Sequence, residues 1–358
     1  MTLKPLPSGS RLEGCTLTGA LSVTTQVRDA ITVIHGPAGC AQHNLSLFHA
    51  TCLENDTVAL PRLASTDLDE SGVIFGGEGA LADSIRDAVS LDPPVVFVLT
   101  TCVVETIGDD TGAVCSRGWD VPVVHIPTAG FLGGVFRDGF HRALYAIAGW
   151  AGEPGGGPGA GCAREPGTGP VSVVLVGEKN LEYEVDAHGE EVRRLLSLLS
   201  APVDLRLVRG MEWGNLSRLG ASRLNVLREP DLVPLGGWLG RRFGTPYLPS
   251  YPVGLAGTLL FLARAGRILG GDGERAVRKE EEAQQEMLSR FSDLQGSMVW
   301  CPGGDGGGER AALVEELAAA LDLRVEPNGT PVPLPDPLPV GTAGIRQLLH
   351  RWRRAIHG

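Results

Sequence analysis

Seven cysteines mark the chain, at positions 15, 40, 52, 102, 115, 162 and 301. Three of them keep company suited to metal–sulfur chemistry. Cys15 follows Gly14 in EGCTLTGA. Cys40 follows Gly39 in HGPAGCAQHN. Cys102 stands just past an apolar run, in LTTCVVETIGDD. Iron–sulfur clusters are held by thiolates, and backbone N–H groups at a turn lower the energy of the anionic sulfurs. A glycine beside the ligand lets the backbone approach closely. No CxxC occurs, so zinc ribbons and thioredoxin-type redox motifs are unsupported. Cys52, Cys115 and Cys301 match no motif and read as small core residues, and Cys162 reads as incidental. An odd, widely spaced set in a long chain does not look like a disulfide framework; it points to thiols in a reducing compartment.

Three ligands so far apart must be gathered by a fold. Pro94–Leu99 and Val121–Ile126 are apolar runs of strand length. Val73–Gly77 (VIFGG) is an apolar run ending in glycines. Ala80–Ser90 and Arg137–Trp150 have helical spacing. Strands alternating with helices predict an α/β fold of repeated Rossmann-like units with mostly parallel sheets, whose ligands sit outside the carboxyl ends of the strands. Gly152–Pro170 (GEPGGGPGAGCAREPGTGP) cannot form a core and reads as a linker. The organisation predicted is a first α/β domain over 1–151, the linker over 152–170, a second unit over 171–270 and a small third unit over 271–358. The second unit contributes strands at Val171–Gly177, Val203–Val208, Leu224–Leu227 and Thr245–Leu248, with helices at Asp186–Leu199 and Leu255–Leu269. The third contributes a charged, solvated helix at Glu274–Arg290, a strand at Ser297–Cys301, a helix at Ala311–Leu321, a short strand at Leu323–Glu326 and a basic helix at Ile345–Ile356.

The formal net charge of -11 argues against non-specific nucleic-acid binding. The start MTLKPLPSGS has no basic segment followed by an apolar run, and no apolar stretch reaches the roughly 20 residues of a bilayer span. A soluble, cytoplasmic protein is expected.

Residues 13–150 resemble the N-terminal domain of the nitrogenase component 1 superfamily. That superfamily includes the nitrogenase MoFe-protein subunits, their cofactor-scaffold relatives and the dark-operative chlorophyll-precursor reductases. The resemblance rests on three blocks in order: Cys15 with HGPAGC, then VIFGGEGAL at Val73–Leu81, then TTCVVETIGDD at Thr100–Asp110. It implies that Cys15, Cys40 and Cys102 hold a 4Fe-4S cluster or its larger counterpart near a subunit interface. The short chain, the lack of any cysteine between Cys162 and Cys301, and the opening VGEKNLEYEVD of the second unit most resemble the catalytic subunits of Ni-sirohydrochlorin a,c-diamide reductive cyclases. Those enzymes act in making the nickel tetrapyrrole coenzyme of methanogens. The linker is a departure that this resemblance does not match.

The resemblance further implies a homodimer and a separate reductase similar to the nitrogenase Fe protein. That partner would bind ATP-Mg, in agreement with the absence here of GxxxxGK[ST]. The substrate implied is a nickel tetrapyrrole, reduced and closed to a lactam. Its carboxylates need cationic or donor groups, for which Lys179 and Asn180 are candidates. His125 is a candidate proton donor or axial nickel ligand, with a hydrogen-bonded structural histidine as the preferred reading. His35 and His43 flank Cys40 and could shape its surroundings. Glu105 follows Cys102, and Asp109 and Asp110 read as helix caps. Other readings are a cofactor-assembly scaffold, and a reductase of another tetrapyrrole or of a small sulfur compound.

Overall fold

The runs ITVIH, VFVLT and VVLV are rich in β-branched residues and buried along their whole length, as strands covered on both faces must be. They form the centres of parallel sheets in a computed structural model that describes residues 14–54, 61–131, 134–151, 170–182, 184–302 and 308–358. The linker expected over 152–170 falls, except for Pro170, outside the described residues, and Cys162 falls with it.

The first unit runs α1 (Thr16–Thr24), β1 (Ile31–His35), α2 (Ala38–Glu54), β2 (Leu63–Ser65), α3 (Glu70–Phe75), α4 (Glu78–Val89), β3 (Val96–Thr100), α5 (Cys102–Ile107), α6 (Thr111–Cys115), β4 (Val123–Ile126) and α7 (Phe136–Trp150). The second contributes β5 (Val173–Val176), α8 (Val185–Ser197), β6 (Val203–Leu207), β7 (Leu224–Leu227), α9 (Val233–Phe243), β8 (Tyr247–Leu248) and α10 (Leu255–Leu269). Then follow α11 (Gly273–Ser289), β9 (Met298–Trp300), α12 (Gly308–Leu321), β10 (Arg324–Val325), β11 (Thr330–Pro331) and α13 (Gly341–His357).

The three sheets have the orders β2-β1-β3-β4, β6-β5-β7-β8 and β10-β9-β11, and every strand pairing is parallel. Each therefore steps one way from its first strand and then back past it. That reversal leaves a crevice at the carboxyl ends of β1 and β3, of β5 and β7, and of β9 and β11. Register places His35 opposite Thr100 and Val98 opposite His125. Strand alternation then puts His35, Thr100 and His125 on the face that packs α4 and α6. The other face joins α1 and α7 in a core that continues into the second unit through Val174, Leu205 and Phe243.

Two glycines set the α1–α7 packing. A Cβ on Gly19 would lie 1.9 Å from the Phe136 carbonyl oxygen, and one on Gly139 would lie 1.8 Å from that of Thr16. The helices thus touch backbone to backbone, which fixes the helix that Cys15 caps.

The apolar run VIFGG supplies the last turn of the short helix α3 and its glycine stop, with Ile74 and Phe75 exposed. One expectation changes: α11 is not simply solvated, since Ala276, Glu280, Gln284 and Met287 are buried along one face. The charged sequence hid this because the buried carboxylate of Glu280 is neutralised from another element. Arg194 reaches it at 2.6 and 2.8 Å, and the Thr342 hydroxyl donates to it.

Candidate functional site

Each of the three motif cysteines stands at the start of a helix. Cys15 caps α1, Cys40 lies in the first turn of α2, and Cys102 is the first residue of α5. A helix start presents backbone N–H groups without intrahelical partners and a partial positive charge, so three such ends favour anionic sulfur. Cys40 and Cys102 follow β1 and β3 and so flank the crevice where strand order reverses. Gly36 makes their approach possible: a Cβ there would lie 2.1 Å from the Thr101 hydroxyl oxygen.

Cys15 is exposed, and Cys40 and Cys102 are half-buried. Burial pushes the Cys40 thiol above its ordinary pKa, and the neighbouring Cys15 and Cys102 sulfurs push it the same way. The three sulfurs are thus close enough to repel as thiolates, a repulsion that a cationic iron core would relieve. Among the described residues, no three His, Cys, Asp or Glu side chains close on a point where a single metal ion would sit. A thiol-only donor set has the chemistry that iron–sulfur clusters use. The hydroxyls of Thr16 and Thr101, each next in sequence to a cysteine of the set, are buried without a hydrogen-bond partner.

The three sequence blocks meet behind the thiols. The His35 imidazole hydrogen-bonds Thr66 through Nδ1 and Asp109 through Nε2, both at 3.1 Å. Asp109 also accepts from the Gly77 N–H at 2.9 Å, and the Asp110 N–H donates to Glu78 at 3.0 Å. HGPAGC, FGGEG and GDD are therefore parts of one hydrogen-bonded frame. Asp110 caps α6 as expected, accepting from the Ala113 N–H at 2.9 Å. Asp109 does not cap the helix that follows it; it holds His35 and the Gly77 N–H that precedes α4. Glu105 accepts from the Thr100 hydroxyl at 2.6 Å.

His125 lies on β4, half-buried, and its Nε2 is buried with no hydrogen-bond partner. Burial lowers its pKa against the pull of Glu105 and Asp110, so the ring is neutral at neutral pH. Lys179 and Asn180 follow β5, in the second unit. Lys179 is ion-paired with Glu229. Asn180 is buried and spans the units: it donates to the Ser22 carbonyl of α1 at 2.6 Å and accepts from Arg209 at 3.0 Å.

Sequence reasoning missed the groups that surround Lys179. Glu182 and Arg228 form a buried pair at 3.0 Å, and Arg228 lies over the Tyr251 ring. Burial pushes the Glu182 carboxyl above its ordinary range, against the pull of Arg228 and Lys179. Glu178 takes Arg206 in a two-pronged pair, both contacts at 2.6 Å. These residues come from four strand ends, so no local motif connects them.

The fold and this site define a three-unit, parallel α/β protein with a thiol-lined crevice in its first unit. The chain belongs to the nitrogenase component 1 type oxidoreductase family, whose model matches residues 15–330. It is 27% identical to the nitrogenase iron-molybdenum cofactor biosynthesis protein NifE of Clostridium pasteurianum, over 79% of this chain and 59% of that protein. It is 28% identical to NifE of Methanosarcina barkeri, over 77% and 59%. The nitrogenase molybdenum-iron protein alpha chain of Methanococcus maripaludis is 26% identical over 84% and 64%. This chain thus spans about three fifths of these relatives' length. A solved structure titled nitrogenase Cp1 at pH 5 superimposes with a TM-score of 0.64 at 20% identity, covering 97% of this chain and 72% of that one, so the fold is shared. Among the described residues, no helix is long and apolar enough to cross a membrane.

Proposed function

We propose that Cys15, Cys40 and Cys102 hold a 4Fe-4S cluster, and that the chain is the catalytic half of a two-component reductase. The observation that carries this reading is three thiols on three helix starts around one crevice. Bound there, the cluster would supply single electrons, delivered by a separate ATP-dependent reductase of the nitrogenase Fe-protein kind. This chain's residues fix the thiols and surround them with N–H donors, and neutral His125 would have to take up a proton before it could pass one on. Exposed Cys15, together with Ile74 and Phe75 on a helix packed against α5, supports a homodimer formed beside the cluster.

The substrate proposed is nickel sirohydrochlorin a,c-diamide, reduced and cyclised. The second-unit crevice favours an organic substrate over a metal–sulfur cofactor, because Lys179–Glu229 and Glu182–Arg228 stand where soft ligands would be needed. A second reading, a cofactor-assembly scaffold, is favoured by the similarity to NifE.

Anaerobic purification with iron and sulfide analysis tests the cluster, and titration with the nickel tetrapyrrole under visible absorption tests the substrate. Iron and sulfide at about four each per cluster, with a spectral shift on titration, is the expected result. Iron without a shift would move the chain to the scaffold reading. Absence of iron would overturn both.

A further inference from the structure

The structure assigns a second binding site, for a small anion carrying at least two carboxylate or phosphate groups, to a cleft between the first and second units. The cleft has a volume of about 360 Å³. That is the size of a small-molecule pocket, too small for a macromolecule. Its walls carry Arg28, Arg62, Arg206 and Arg209, against one lining carboxylate among the described residues, Asp186. This is a local cationic surplus in a chain with 42 acidic and 31 basic residues.

The four arginines divide into two kinds. Arg206 and Arg209 are preset. Arg206 is gripped by Glu178 and reaches Asp186 at 3.0 Å, while Arg209 hydrogen-bonds Asp186 and Asn180. Hydrogen bonds from Arg209 first, then its charge and Arg206, hold the Asp186 carboxyl down at about 2, so it stays an anion that orients both. Arg28 and Arg62 have no carboxylate partner among the described residues. Arg62 donates to the Asp29 carbonyl at 3.0 Å, and Arg28 lies against Gly210, where a Cβ would be 2.9 Å from its guanidinium. Two fixed guanidinium groups facing two uncompensated ones suit a ligand with two separated anionic ends, each able to take a forked pair of N–H donors.

The walls are already joined. Val27 bridges Met211, and the Arg28 N–H donates to the Met211 carbonyl at 2.9 Å. The cleft also lies outside the carboxyl ends of β5 and β6, where parallel sheets take their ligands. It is remote from the thiols: α2 carries Cys40 in its first turn and Cys52, which lines the cleft, near its end, about 18 Å further along at 1.5 Å per residue. The anion site is thus separate from the cluster ligands.

The test is isothermal titration of the full-length protein, purified anaerobically, with citrate and separately with pyrophosphate, at chloride-matched ionic strength. Saturable binding of at least one probe is expected, weakened about tenfold in Arg28→Gln and in Arg62→Gln, with iron content unchanged. Both side chains are exposed and, among the described residues, outside ion pairs, so both variants should fold. Gln26→Glu, which adds a carboxylate to the wall, gives a second check and should weaken binding similarly. Citrate alone would mark a polycarboxylate ligand and pyrophosphate alone a phosphate ligand; either supports the site. Heat that fails to saturate, or affinity unchanged in all three variants, would overturn it.

Discussion

The first and second units have the same strand plan and use its crevice in opposite ways. In the first, the loops after β1 and β3 bring thiols to the crevice on helix starts, with glycines where the chains must touch. In the second, the loops after β5 and β7 bring Lys179, Glu182, Arg228 and Glu229, which neutralise one another. One crevice gathers thiols that have no partners of opposite charge among the described residues, and the other is lined by side chains paired with one another. The difference lies in the side chains at the strand ends, not in topology, which is why fold alone does not assign function.

Serine in place of Cys15, Cys40 or Cys102 should have the largest effect, removing most bound iron. Cys115→Ser should keep it, since that thiol is buried in an apolar cluster and burial alone pushes its pKa to about 12. Iron analysis of the four variants decides the point, and retention in all three motif variants would break the contrast between units. In the second unit, Arg228→Met should destabilise by about 3–5 kcal/mol, because it leaves Glu182 buried without its partner. Adding Glu182→Met should recover much of that loss, as urea midpoints would report. A single variant as stable as the parent would mean that the pair does not hold the crevice wall together.

The second unit should also carry a pH signature. Burial, helped by Arg228, holds His188 neutral, with its pKa lowered to about 3. An unfolded histidine titrates near 6.5. The stability due to neutral His188 is therefore complete above about pH 6.5 and declines as pH falls toward 3, by at most about 1.4 kcal/mol per unit. His35 and His125 are lowered too, so His188→Gln should flatten the decline only in part. Melting temperatures at pH 7 and pH 5 measure it, and an identical slope in the variant would remove His188 from the account. The smallest effect is expected at Lys179. Its pair with Glu229 is partly exposed, so Lys179→Ala should cost about 1 kcal/mol or less and leave iron untouched. Tetrapyrrole affinity unchanged in that variant would exclude Lys179 from substrate binding.

How far the sequence reached differs between the same two regions. In the first unit, the candidate site residues sit in compact motifs, because close backbone approach demands glycine and the proposed ligation would demand cysteine at set places. HGPAGC, VIFGGEG and TTCVVETIGDD could therefore be read together. Their use could not: that His35 of the first block binds Asp109 of the third is a contact across 74 residues. In the second unit, VSVVLVG was legible as a strand, but its polar partners come from separate strand ends, and nothing in one segment announces an arginine that arrives from another. The same limit hid the buried carboxylate of Glu280 inside a helix that reads as charged and exposed.

Residue type and local spacing by themselves determined the parallel α/β pattern, most of its strands and helices, and the three thiols worth testing. Burial, ion pairing and the grouping of distant side chains belong to the tertiary structure alone. It set Asp109 on His35 rather than on the helix that follows it, gave Lys179 to Glu229, and faced Arg28 and Arg62 toward Arg206 and Arg209. The physical reason is range: backbone propensity and periodicity act over a few residues, whereas charges and hydrogen bonds are satisfied by whatever the folded chain brings within a few ångströms.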